Sequence, residues 1–150
     1  MSIDFKRKGS QGEREFFKAI GDSLGIDIVR NLEQARGGGH DHAGLVFGFA
    51  IEVKRGERLR LPEWWKQAQS QALAAGGRPA LAYRQNRKQW LIQARISDLF
   101  PVTLESDHKL AGRAFPPQAM VTMTLTGFLC VLHNFKNHSE GSASYVLLAA

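Results

Sequence analysis

Apolar residues recur at helical intervals early in the chain: Phe16, Phe17, Ile20 and Leu24 fall at spacings of three and four. Ser10-Gln11-Gly12-Glu13 has the S-x-x-E form of a capping box, which predicts that this helix opens there. Gly25 suits its C-terminal stop. Residues 1–9 read as a basic arm ahead of the helix, carrying Lys6, Arg7 and Lys8. Ile26 to Arg30 alternates as a strand does, and Ala35 to Gly39 has the composition of a flexible loop. His40 to Val46 and Phe49 to Arg55 read as two strands around a turn at Gly48. Pro62 suits the first turn of a second helix, which runs to about Ala75 and ends at Gly76-Gly77. Pro79 to Arg84 and Gln89 to Arg95 have the pattern of a hairpin, with Gln85 to Lys88 as the connection. After Phe100 the pattern weakens: Ala119 to Leu125 reads as a strand, Gly127 to Phe135 as a short helix, and residues 136–150 as a tail. Helix, three strands, helix, two strands is an order that predicts an α/β fold with a central mixed β-sheet flanked by helices. No internal repeat or linker divides the chain.

Composition narrows the setting. A chain of 150 residues, 43% hydrophobic and 23% charged, can bury a real core as one domain. No apolar run approaches the ~18 residues of a membrane span. Met1 to Ser10 has no apolar stretch of the kind a secretory signal needs. Cys130 is the sole cysteine, so no internal disulfide forms, and a cytoplasmic location is expected. The net charge of +6 favours an anionic partner, nucleic acid first, or describes a merely basic soluble protein. Its distribution sharpens the point. Between Leu61 and Arg95, Lys66, Arg78, Arg84, Arg87, Lys88 and Arg95 face Glu63 as the sole acid.

The strongest chemical signal is Asp41, ten intervening residues, and then Glu52-Val53-Lys54. In a strand, alternate side chains share a face, so Phe49, Ile51 and Val53 point into a core while Glu52 and Lys54 lie side by side opposite. Asp41, on the preceding strand, comes within metal-bridging reach of Glu52. Two carboxylates and a backbone carbonyl, that of Val53, suit magnesium, and Lys54 would stand beside the water to be activated. A bare Glu-x-Lys is more often a solvated pair on an amphipathic strand. The upstream aspartate and the interleaved apolar residues turn the balance here. Glu13 shares a helix face with Phe17, Ile20 and Leu24. It either closes the capping box on Ser10 or faces the sheet, and the two roles are compatible. Glu15 shares its face with Lys18, Ala19 and Asp22 and reads as solvated. Arg55, Arg58 and Arg60 follow the Glu-x-Lys pair at once and read as phosphate contacts rather than a merely solvated loop. Arg36 belongs to the glycine loop, which is either a DNA-contacting loop or a plain connector, and no Gly-Lys-Ser/Thr follows to make it a P-loop. His40 and His42 point away from Asp41, and His133, Asn134, Asn137 and His138 lack the strand–strand–helix context of an HNH nuclease. Neither set supports a metal site.

Lys8-Gly9, Glu13-Arg14-Glu15, a strand ending at Arg30, a glycine-rich loop, Asp41 and Ile51-Glu52-Val53-Lys54 stand in an order that resembles the archaeal-type Holliday junction resolvases of the PD-(D/E)xK superfamily. Leu61-Pro62-Glu63-Trp64-Trp65-Lys66-Gln67-Ala68, Pro79 to Arg84 and Trp90 resemble the phage and prophage branch of those enzymes. The resemblance covers roughly residues 6–100. It implies a restriction-endonuclease-like fold and magnesium-dependent phosphodiester hydrolysis, with manganese able to substitute. It also implies a homodimer acting on four-way or otherwise branched DNA. Asp41 and Glu52 would be metal ligands, Lys54 the water-orienting base and Glu13 an outer or additional ligand. Arg14 and Arg30 would contact phosphates. A glutamine on the second helix would face the site, and Gln67 matches that position better than Gln71; the alternative is that the two simply form a polar helix face. Trp64 and Trp65 fit the core or a dimer interface. The chain departs from the pattern in three places. His40 stands where the motif has proline, the loop serine is absent from Ala35 to Gly39, and nothing after Phe100 has a counterpart. Residues 1–100 are therefore expected to form the nuclease core with its basic arm, and 101–150 an extension of the same domain. Two rival readings remain. One is another PD-(D/E)xK enzyme, a repair, exo- or restriction-type nuclease. The other is a nuclease-fold protein that binds DNA without cutting it.

Overall fold

Alternation and helical periodicity give four strands and three long helices in a computed structural model that describes residues 2–28, 44–100 and 116–148. In chain order these are α1 (Ser2–Leu24), β1 (Phe49–Arg55), α2 (Leu61–Ala75), β2 (Arg78–Arg84), β3 (Leu91–Arg95), a 3-10 turn (Ile96–Leu99), β4 (Met120–Thr124) and α3 (Leu125–Leu148). The sheet order is β1-β2-β3-β4, with β1 and β2 parallel and the other neighbours antiparallel. A parallel pair needs a crossover, and α2 supplies it.

The two faces of the sheet are covered differently. Phe49, Ala80, Ala82 and Ile92 belong to one core with Phe16, Phe17, Ile20 and Leu24 of α1 and Phe128, Leu132 and Phe135 of α3. Alanines on β2 leave room for the aromatic rings, and Phe49 meets Phe128 and Phe135 edge to face at 5.5 and 5.2 Å. The opposite face carries Leu81 and Tyr83 against Ala68, with Trp64, Trp65, Leu61 and Leu91 packed around them. Trp64 and Trp65 are thus half-buried packing residues of α2.

Several expected boundaries shift. α1 begins at Ser2, so Ser10 is helix interior rather than the start of the helix, and the expected arm is the first turns of α1. An S-x-x-E signature stops a helix only where the preceding residues cannot extend it, and Ser2 to Lys8 contains no proline. α1 does end before Gly25, which has φ 66°. Gly25 forms a turn, Ile26 a bend, and Ile28 is helical rather than strand. Their alternation instead reflects two isoleucines folded back on the core, Ile28 buried and Ile26 packed beside it. The rest of that expected strand lies outside the described residues. Of the strand expected over His40–Val46, residues 40–43 also lie outside, and Val46 alone of the remainder bridges to Phe49. Phe47 and Gly48, both at positive φ, make the predicted tight turn between them. β3 starts at Leu91, because Trp90 turns into the core ahead of it. The short helix and tail expected near the end are one continuous helix to Leu148. No proline interrupts its ladder.

Gly77 follows α2 at a point where the chain runs tight against the β1 turn. Its N–H donates to the Ala72 carbonyl at 2.9 Å, and the next N–H, of Arg78, donates to the Gly48 carbonyl at 2.8 Å. A Cβ on Gly77 would stand 2.6 Å from Leu45 Cδ2 and 3.1 Å from the Gly48 carbonyl oxygen. Gly77→Ala is therefore expected to destabilise the fold by about 1–3 kcal/mol through overpacking. Urea unfolding measures this, and a midpoint equal to the parent's would show that the turn has slack.

Candidate active site

β1 carries the Glu-x-Lys pair, and its alternation works as the sequence implies. Phe49 is fully buried, while Ile51 and Val53 pack against the same core. Glu52 and Lys54 occupy the opposite face. Lys54 Nζ lies 2.6 Å from Glu52 Oε1, with side chains 25% and 13% exposed. The pair is thus held out of bulk water without being sealed from it, where a charge–charge contact is worth more than on an open surface.

In the described sheet β1 is the edge strand. A cleft of about 220 Å³ follows it, walled by Glu13 from α1, Gly44, Glu52 and Gln71 from α2, over an apolar floor that includes Phe17 and Ile51. Glu13 lies one turn before Phe17, so the stripe that seats α1 on the sheet also aims this carboxylate at the cleft. Gln71 joins it, whereas Gln67, one turn earlier on α2, does not line the cleft; both side chains are exposed. The two differ because α2 approaches Ala50 and Glu52 with its C-terminal half, where Gln71 and Ala75 sit. Asp41, Arg30 and Arg36 lie outside the described residues, as do His40 and His42.

The basic residues divide into two groups. Arg14, Arg58 and Arg60 are exposed, with Arg60 3.4 Å from Glu63. Lys6, Arg7 and Lys8 belong to α1. Arg55 is held: its Nε donates to Asn86 Oδ1 at 3.4 Å, and Nη1 lies 3.8 Å from Glu15 Oε2. The segment after β1 is tied down as well. Asn86 Nδ2 donates to Glu57 Oε1 and Gln85 Nε2 to the Glu57 carbonyl, both at 3.1 Å. The loop that presents Arg58 and Arg60 is thereby fastened to the β2–β3 connection.

Glu15, which reads as solvated in the sequence, is a bridging residue in the structure. Besides Arg55 it accepts a bond from Arg84 Nη2 at 2.6 Å. The overlooked signal is Gly12, one helical turn before it. A Cβ there would meet Arg55 Cβ at 3.3 Å and Trp90 at 3.8 Å. A glycine inside a helix commonly marks such a close approach. His133, Asn134, Asn137 and His138 are exposed on α3, and among the described residues they join no group of metal-ligating side chains.

Among the described residues no group of three or more histidine, cysteine, aspartate or glutamate side chains stands together. Glu13 and Glu52 supply two carboxylates to one open cleft, and its described lining contains no thiol or imidazole. Such an oxygen donor set fits a hard divalent cation rather than zinc. No helix among the described residues is long and apolar enough to cross a membrane.

A family model described as phage putative PDDEXK endonuclease matches residues 4–146. Nucleases of the PD-(D/E)xK type generally use divalent metal ions. No curated protein and no solved structure matches the chain. The family match takes in all four strands and nearly all of both terminal helices, and the chain therefore belongs to this phage PDDEXK endonuclease family, within the PD-(D/E)xK nucleases.

Proposed function

We propose that the protein is a magnesium-dependent endonuclease that cuts branched DNA, of the kind that resolves Holliday junctions, with manganese able to replace magnesium. The observation that carries this reading is the close Glu52–Lys54 pair on an edge strand whose cleft also receives Glu13. Glu52 and Asp41 would hold the metal together with the Val53 carbonyl, and Glu13 would add an outer contact. Gly44, three residues after Asp41, lines the cleft, and three residues span at most about 11 Å. When bound, the metal supplies Lewis-acid stabilisation of the charge that develops on the phosphate oxygens. Lys54 orients the attacking water by hydrogen bonding, and Gln71, in place of Gln67, contributes its amide to the same wall. Arg14, Arg30, Arg36, Arg55, Arg58 and Arg60, with Lys6, Arg7 and Lys8, would contact backbone phosphates along the DNA arms. A two-fold dimer would present two such sites to opposing strands, matching the symmetry of a four-way junction.

On this reading selectivity comes from the spacing of phosphates and the ease of deforming a branch point. A synthetic four-way junction and a linear duplex of the same sequence, incubated in one tube with and without magnesium, provide the test. The expected result is paired, nearly symmetric nicks in the junction that depend on the metal, with the duplex cut at least about tenfold more slowly, a discrimination of about 1.4 kcal/mol. Equal rates, or degradation from the duplex ends, would dismiss junction selectivity while sparing the nuclease. No cleavage of either substrate with magnesium or manganese would dismiss both.

A further inference from the structure

We propose that Arg84 grips a phosphate of the DNA strand, as part of a second anion site that it forms with Arg55 on the α1 side of the sheet. The proposal rests on the nuclease reading for its ligand and on the following geometry for its site. Arg84 is the registered β2 partner of Arg55, and Arg55 directly follows Lys54 on β1. One strand step of about 3.4 Å and one strand spacing of about 4.8 Å therefore separate the backbone of Arg84 from that of Lys54. Both guanidinium groups converge on one carboxylate oxygen, Glu15 Oε2, at 2.6 and 3.8 Å. Two cations on one anion leave a positive charge over, and Glu15 is itself 48% exposed, so solvent weakens its hold.

Structural contacts to Glu15 and Trp90 do not account for all of Arg84. Its side chain is only 15% exposed, and its Nε is buried with no hydrogen-bond partner among the described residues. A buried donor without an acceptor is costly, and native structures keep few of them. The guanidinium stacks on Trp90, 4.7 Å from the ring centroid, and Trp90 is fixed in turn by Phe16 at 5.1 Å. Stacking on a rigid ring holds the planar fork in one orientation, the arrangement that favours arginine over lysine for two-point contact with phosphate oxygens. The stacked fork is a preorganised cation next to β1, and with Nε buried its Nη groups are the ones left to meet a phosphate. A methionine of similar length would pack on Trp90 without burying a donor.

The test measures binding of the intact protein to a synthetic four-way junction, and to duplex of equal length, with calcium replacing magnesium so that no strand is cut. Arg84→Met should keep or raise the thermal midpoint. It should weaken binding to both DNAs about tenfold and make the slope of log K against log salt shallower by about 0.9, the value for one lost phosphate contact. Arg84→Lys retains the charge, so it should keep the parent slope yet bind less tightly than the parent. The proposal is wrong if Arg84→Met binds with the parent's slope and affinity. It is equally wrong if Arg84→Met loses its fold while Arg84→Lys binds exactly as the parent does, since the residue is then a strut. An unsubstituted protein that binds DNA but never cuts would overturn the nuclease reading and leave the phosphate contact to be judged by the slopes. One that binds no DNA overturns both.

Discussion

Glu52→Gln is expected to slow metal-dependent strand cleavage by on the order of a thousandfold while leaving DNA binding within about threefold of the parent. The substitution keeps the side chain's size and its oxygen facing Lys54, so the strand and its 2.6 Å contact have no reason to rearrange. What disappears is the negative charge that would hold a divalent cation. Lewis-acid stabilisation by a bound metal is worth several kcal/mol, and about 4 kcal/mol corresponds to roughly a thousandfold in rate. Asp41→Asn should behave alike. Binding should be spared because the proposed phosphate contacts are arginines and lysines away from Glu52. Calorimetric titration with calcium, which need not support cleavage, isolates the cause. If both variants bind the ion as the parent does, the metal lies elsewhere.

Phe128→Ala is expected to lower the free energy of unfolding by about 3–5 kcal/mol, the range for truncating a fully buried aromatic ring. For a chain of this size that is a drop of roughly 10 °C in midpoint. Phe128 is fully buried, and its ring meets Phe49 at the start of the strand that carries Glu52 and Lys54. The cavity would open under β1 itself, so cleavage should decline with stability. Urea unfolding with an unchanged m-value would register the effect as packing loss. A loss under 1 kcal/mol would mean that α3 is peripheral to the cooperative unit.

Which face each side chain takes was more legible than where the elements begin and end. Phe49, Ile51 and Val53 alternate with Glu52 and Lys54 over enough residues to fix which side each faces, and a period of two leaves no ambiguity once one face is apolar. The stripe from Glu13 to Leu24 located the carboxylate on α1 for the same reason. Gln67 and Gln71 share a helix face, so only the placement of α2 along β1 separates them, and that depends on packing between elements. Glu15 shows the limit most clearly. Its partners stand 40 and 69 positions away in sequence, and no local pattern encodes them. Only Gly12 hinted that something pressed against the helix there. The long C-terminal helix was obscured by its composition: Ser139, Gly141, Ser142 and Ser144 look like a tail, yet nothing in them obliges the backbone to leave the helix.

Lys136 of α3 donates from Nζ to the Leu24 carbonyl at 3.0 Å, placing a cation on the C-terminal end of α1. Together with Phe128 and Phe49, this joins α3 to α1 and to β1. Such distant pairings carry loop-closure entropy before they return any contact energy, and they slow folding. During synthesis the effect is sharper. About eighty residues separate Phe49 from Phe128, so at 5–20 residues per second the ring waits roughly 4–16 s for its partner. Through that interval Phe16, Ile20 and Phe49 have no α3 to cover them. A nascent chain of this design should lean on chaperones while it grows, because the apolar side of β1 stays uncovered until α3 has been made.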